Sequence, residues 1–103
     1  MRNRVLRVAA SVALLVACGA ASAADPQSGR DIAANCANCH GTDGKSRGAM
    51  PSLAGREKAE IVSFVREFRD GKRPSTVMQQ LVKGYTDAQI EAAATYFAAQ
   101  KRN

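Results

Sequence analysis

Residues 36–40 read Cys-Ala-Asn-Cys-His. The chain has three cysteines and one histidine, and three of those four groups fall within these five positions. Two thiols three residues apart beside an imidazole suit three chemistries: a redox disulfide, half of a zinc site, or the two-point covalent attachment of a haem whose iron the imidazole binds. The setting decides among them. A redox pair of the thioredoxin type sits in a βαβ unit, and a structural zinc needs four ligands.

The setting reads as helical. Ser28 to about Ala37 has the pattern of a first helix, with Ser28 as N-cap, Asp31 as its partner three residues on, Ile32 as the apolar anchor, and Cys36 and Cys39 at the end. Residues 41–55 (GTDGKSRGAMPSLAG) carry four glycines and a proline and read as an extended loop. From Arg56 to Asp70, Ile61, Phe64, Val65 and Phe68 recur at steps of three and four, which predicts a second helix that Gly71 ends. Pro74 and Ser75 open a short helix over Thr76 to Lys83, stopped by Gly84. Thr86 and Gln89 form a capping box for the last helix, whose Ile90, Ala93, Ala94 and Phe97 make a narrow apolar stripe. The small residues in that stripe favour close approach to the first helix, near Gly29 and Ala33. No stretch sustains β-type alternation, so the expected fold class is all-α.

Residues 1–23 stand outside that domain. Arg2, Arg4 and Arg7 precede the uncharged apolar run Val8 to Ala17, and Ala21-Ser22-Ala23 is a small-residue cleavage pattern, which together read as an export signal. Ten apolar residues are too few for a hydrocarbon layer that takes about 20, so no membrane span is expected. Leu15-Val16-Ala17-Cys18 also resembles a lipobox, in which Cys18 would carry a lipid anchor. Both processing routes stay open, and both place a single domain, residues 24–103, outside the cytoplasm, in the periplasm of a bacterium.

Charge and size narrow the function classes. The chain has 15 basic and 9 acidic residues, and the signal holds three of the arginines and no acid, so twelve basic residues face nine acidic ones in the domain. That small, dispersed excess, with two tyrosines and three phenylalanines for stacking, does not describe a nucleic-acid-binding protein. An exported domain of about 80 residues has a thin core and needs disulfides, a metal or a prosthetic group to complete it.

These conditions select among the three chemistries of the motif. The helical pattern lacks the βαβ unit of a redox pair, and after Cys36, Cys39 and His40 the domain has no further cysteine or histidine for zinc, although a carboxylate could supply one ligand. Covalent haem attachment needs nothing more: thiols at this spacing reach the two vinyl groups of one porphyrin edge, and the adjacent imidazole is placed under the iron. One such motif implies one haem c.

With Cys36, Cys39, His40 and Gly41, the downstream Pro51-Ser52-Leu53-Ala54-Gly55, Met78, and the terminal helix with Tyr96 and Phe97, the chain resembles the small bacterial class I cytochromes c over residues 28–102. The resemblance implies a few helices wrapped around one haem, with histidine on one face of the iron and methionine on the other. It further implies that the carbonyl of Pro51 accepts a hydrogen bond from the second ring nitrogen of His40, and that Leu53 packs on the haem edge.

The sixth ligand is open on reach alone. Met50 lies ten residues beyond His40, and a chain extending about 3.4 Å per residue can carry it round the ring. Met78 follows the second helix and a proline, which gives the chain room to reach the opposite face, and it matches the family's ligand position. Either methionine could instead be core filling. Histidine and methionine together would close both axial positions, raise the potential relative to bis-histidine ligation, and leave electron transfer as the activity. An open position would instead point to a haem peroxidase or gas sensor.

The expectation is therefore a non-catalytic electron carrier with a redox protein as partner and no small-molecule substrate of its own. Lys45, Arg47, Lys72, Arg73 and Lys83 could steer an acidic partner to the haem edge, or could be plain solvated faces. Ser75-Thr76-Val77-Met78 followed by Lys83-Gly84-Tyr85 is similar to the haem subunits of flavocytochrome c sulfide dehydrogenases, which accept electrons from a flavin subunit. That similarity implies a flavoprotein partner; a free-standing shuttle to a terminal oxidase or reductase is the alternative.

Overall fold

The computed structural model describes residues 26–102. The expected export signal and the lipobox at Cys18 lie outside the described residues. Within them the chain forms α1 (Pro26–His40), a single 3-10 turn (Thr42–Gly44), α2 (Lys58–Arg69), α3 (Met78–Val82) and α4 (Asp87–Ala98). No strand occurs among the described residues, in keeping with the all-α expectation.

The first helix differs from its sequence reading at both ends. Ser28 is inside it rather than its N-cap, since Pro26 already occupies a first-turn position where a missing N–H costs no helical bond. At the other end α1 runs on through the whole motif to His40. Gly41 then stops it, with φ of 86° and its N–H donated to the carbonyl of Ala37 at 3.0 Å. All five motif residues are therefore helical.

α4 is the element on which α1 and α2 pack. Its capping box is formed as read: the Gln89 N–H donates to Thr86 Oγ1 at 3.2 Å and the Thr86 N–H donates to Gln89 Oε1 at 2.9 Å. Ile90, Ala94 and Phe97 join Ala33 of α1 and Ile61 and Val62 of α2 in one buried cluster. Burial of a side chain the size of Phe97 contributes about 1.5–3 kcal/mol. α1 and α2 both pack against α4, and α3 rests on α2.

α2 and α3 are shorter than read. α2 begins at Lys58, not Arg56, and α3 covers only Met78–Val82, with the Gln79 N–H donating to Ser75 Oγ at 3.1 Å at its start. The deepest residues of α2 are Ile61 and Val62. Phe64 and Phe68, expected on the core face, are half-buried under the Arg73 guanidinium, which lies 4.4 Å from the Phe64 ring centroid.

Candidate functional site

Helical geometry sets the relation of the two thiols. Residues three apart on a helix are surface neighbours, with about 5–6 Å between Cβ atoms, so Cys36 and Cys39 face the same side of the end of α1. Both are free thiols; Cys39 is exposed and Cys36 is half-buried, its Sγ directed at the carbonyl of Ile32 at 3.7 Å. Burial pushes the Cys36 thiol up from its ordinary value. A redox-active pair requires the opposite, a thiol depressed toward thiolate.

His40 follows on the same helix and is buried, 8% exposed. Its Nδ1 lies 2.7 Å from the carbonyl oxygen of Pro51. A carbonyl only accepts, so Nδ1 carries the proton, and the lone pair of the neutral ring is on Nε2. The ring is thus fixed in the tautomer that a metal ligand needs.

The loop that brings Pro51 to this position is folded rather than extended. Gly41 is required where it stands, since a Cβ there would lie 2.0 Å from the carbonyl oxygen of Lys45. Gly44, at φ 78°, passes so close to α4 that a Cβ would lie 2.7 Å from the Phe97 ring. Its carbonyl accepts the N–H groups of Leu53 at 2.8 Å and Ala54 at 3.2 Å, so the segment leaving Pro51 is tied to the turn that follows His40. Ser52 Oγ accepts the Ser46 N–H at 2.9 Å across the same loop. Leu53 packs against the core cluster.

The structure therefore gathers Cys36, Cys39, His40, Pro51 and Leu53 around one helix end. Met78 is carried separately, half-buried at the start of α3, while Met50 is 50% exposed beside Pro51. Of the cations read as steering groups, Arg73 is committed elsewhere: it pairs with Glu67 at 2.8 Å and stacks on Phe64. Lys45 is half-buried, and Arg47, Lys72 and Lys83 are exposed. Asp43, which the sequence reading passed over, is joined to Tyr96, which it read only as part of the terminal helix. Asp43, in the left-handed region at φ 54°, accepts the hydroxyl proton of Tyr96 from α4. The Asp43-Gly44 dipeptide is a turn signal that could have marked this bend.

The donor set fits a haem. Two unpaired thiols on one side of a helix end and a buried imidazole with Nε2 as its free donor give two attachment points and a ligand. A zinc site fits less well, since among the described residues no three of the histidine, cysteine, aspartate and glutamate side chains converge on a point that could hold a metal ion.

Comparison with known proteins agrees. Residues 24–97 match the family model described as Cytochrome C oxidase, cbb3-type, subunit III. The chain is 42% identical over 69 residues to a cytochrome subunit of sulfide dehydrogenase from Chlorobaculum tepidum, covering 67% of this chain and 63% of that protein. It is 39% identical over 101 residues to a thiosulfate dehydrogenase electron acceptor from Thiomonas intermedia, covering 96% of this chain but 45% of the relative. It is 31% identical over 83 residues to cytochrome c-554(548) from Halomonas halodenitrificans, covering 77% of this chain and 100% of that relative. The chain thus spans less than two thirds of the first two relatives. It belongs to the cytochrome c family, as an electron-transfer protein with covalently bound haem c.

Proposed function

We propose that the chain is a periplasmic monohaem carrier in which Cys36 and Cys39 hold the haem by thioethers and His40 Nε2 and Met78 Sδ bind its iron. The observation that carries this reading is the 2.7 Å contact between His40 Nδ1 and the Pro51 carbonyl, directly after the cysteine pair. It leaves one ring nitrogen for metal and makes that nitrogen more basic. A single Cys-x-x-Cys-His motif in the sequence supports one haem, and the basic and apolar N-terminal residues support export.

The haem supplies a one-electron iron couple. The chain's residues do the rest. The two cysteines make the group permanent, His40 is held in one tautomer, and Leu53 and the apolar cluster behind it keep water from the ring. Met78 would hold the iron as its second protein ligand, which would keep small ligands from it. One electron is accepted from a donor protein and one is passed on, with no atom transferred.

As donor we favour a flavoprotein that oxidises sulfide. The segments Ser75–Met78 and Lys83–Tyr85 support this, as does the name of the Chlorobaculum relative. Arg47, Lys72 and Lys83 would steer an acidic partner, an effect on association rate that weakens with salt. The free-standing shuttle is the second reading, favoured by the Halomonas cytochrome, whose whole length the chain covers. The test mixes sulfide with oxidised holoprotein, with and without a flavoprotein sulfide dehydrogenase subunit. Reduction that requires the flavoprotein and slows with salt is expected. Equal reduction without it contradicts the assignment of donor, and so does no reduction in its presence.

A further inference from the structure

We propose that Tyr96 is a positioning residue for His40, acting through Asp43 and the turn that holds the Pro51 carbonyl. The inference rests on the haem ligation proposed above.

Pro51 is exposed, so its own packing does not place its carbonyl. Its position comes from its neighbours. The Leu53 and Ala54 N–H groups bond the Gly44 carbonyl, and Gly44 is the last residue of the turn Thr42–Gly44. That turn contains Asp43 at φ 54°, a conformation most residues with a Cβ avoid and Asp tolerates when its short side chain is engaged. What engages it is Tyr96, whose hydroxyl donates to Asp43 Oδ1. The same bond pushes the Tyr96 phenol up, with burial and the Asp43 charge adding to it and Arg30 opposing, so the hydroxyl keeps the proton it donates.

A rigid helix therefore reaches the iron ligand through a short relay. Tyr96 holds Asp43, Asp43 holds the turn, the Gly44 carbonyl holds residues 53 and 54, and Pro51 holds His40. The neighbouring Phe97 braces the loop at two further points: its ring lies over Gly44 and its carbonyl accepts the Gly55 N–H at 2.9 Å. Those contacts fix the distance of the loop from α4. The Tyr96 hydroxyl adds the side-chain bond that sets the rotation of the turn. Loosening that bond lets the Pro51 carbonyl drift, which weakens the Nδ1–H bond and makes Nε2 a poorer donor to ferric iron.

The test uses full-length holoprotein in the ferrous, diamagnetic state. In the parent, ring protons of an iron-bound His40 are moved far upfield by the ring current of the haem, and solvent exchange of the Nδ1 proton reports on the bond to Pro51. Tyr96→Phe removes only the hydroxyl and is expected to speed that exchange by about two- to tenfold, and to raise the reduction potential, with haem attachment unchanged. Asp43→Ala must reproduce the effect on exchange, and serves as the second route should Tyr96→Phe take up haem poorly. Asp43→Asn keeps an acceptor and is expected to exchange at the parent rate.

A lower melting temperature in Tyr96→Phe with exchange and potential unchanged overturns the proposal, because Tyr96 is then only structural. Equal acceleration in Asp43→Asn also overturns it, since charge rather than the hydroxyl bond would be responsible. A parent without the shifted His40 protons removes the ligation and this inference with it, whereas shifted protons indifferent to Tyr96 remove this inference alone.

Discussion

The carbonyl of Ala92 lies directly against Gly29: a Cβ added at Gly29 would stand 2.4 Å from that oxygen. At this point α4 and α1 approach backbone to backbone, and nothing larger than hydrogen fits. Gly29→Val is expected to destabilise the holoprotein by about 2–4 kcal/mol, read as a lower melting temperature. A stability equal to the parent's would mean that α1 does not cross α4 here.

Gly41 is restricted twice, by its positive φ and by the Lys45 carbonyl, and neither restriction depends on the haem. Gly41→Ala should cost about 2 kcal/mol or more and lower the yield of haem-bearing protein. Gly48 has open space around its Cβ position and no positive φ, so Gly48→Ala should match the parent. Equal yields from all three would contradict the folded loop.

Asp87, first residue of α4, accepts from Arg69 Nη1 at 2.6 Å and Arg66 Nε at 3.3 Å. The bond to Arg69, with Arg66 nearby, holds its carboxyl below the ordinary 3.8. A group depressed on folding contributes stability above its unfolded value and loses it as pH falls through the folded one. Asp87→Asn should therefore melt slightly below the parent at pH 7, and the gap should close as pH drops below 3.8. The group is solvent-exposed, so added salt should narrow the gap too. A gap that widens in acid has the wrong sign for this mechanism.

The methionines separate cleanly by spectroscopy. Met78→Ala is expected to lose the far-red methionine-to-iron band of the ferric protein and to bind carbon monoxide quickly when reduced, while Met50→Ala behaves as the parent. The reverse pattern would transfer the axial role to Met50. Rapid carbon monoxide binding by the parent would instead favour the peroxidase or gas-sensor class.

Sequence and structure agree best where the determinants are local. The Thr86 and Gln89 box was legible because both partners lie within one helical turn. The motif itself was legible for the same reason. The C-terminal end of α1 was read about three residues short, although its stop signal, Gly41 at φ 86°, is local as well. Arg73 read as a steering cation because its stack on Phe64 and its pair with Glu67 exist only once the chain turns at Gly71. Likewise Asp43 and Tyr96 are 53 residues apart, and no spacing rule joins them. The part of the site written in consecutive residues was visible, and the Pro51 contact of His40 was expected from the family resemblance; the Asp43–Tyr96 bond behind that contact was not.

The most direct test of the central claim is the mass of the protein purified from a host that matures c-type cytochromes, measured after full denaturation. A polypeptide carrying the mass of one haem, reduced to bare polypeptide in Cys36→Ala/Cys39→Ala, is the expected result. A colourless product that weighs only its polypeptide and is nonetheless compactly folded would contradict it.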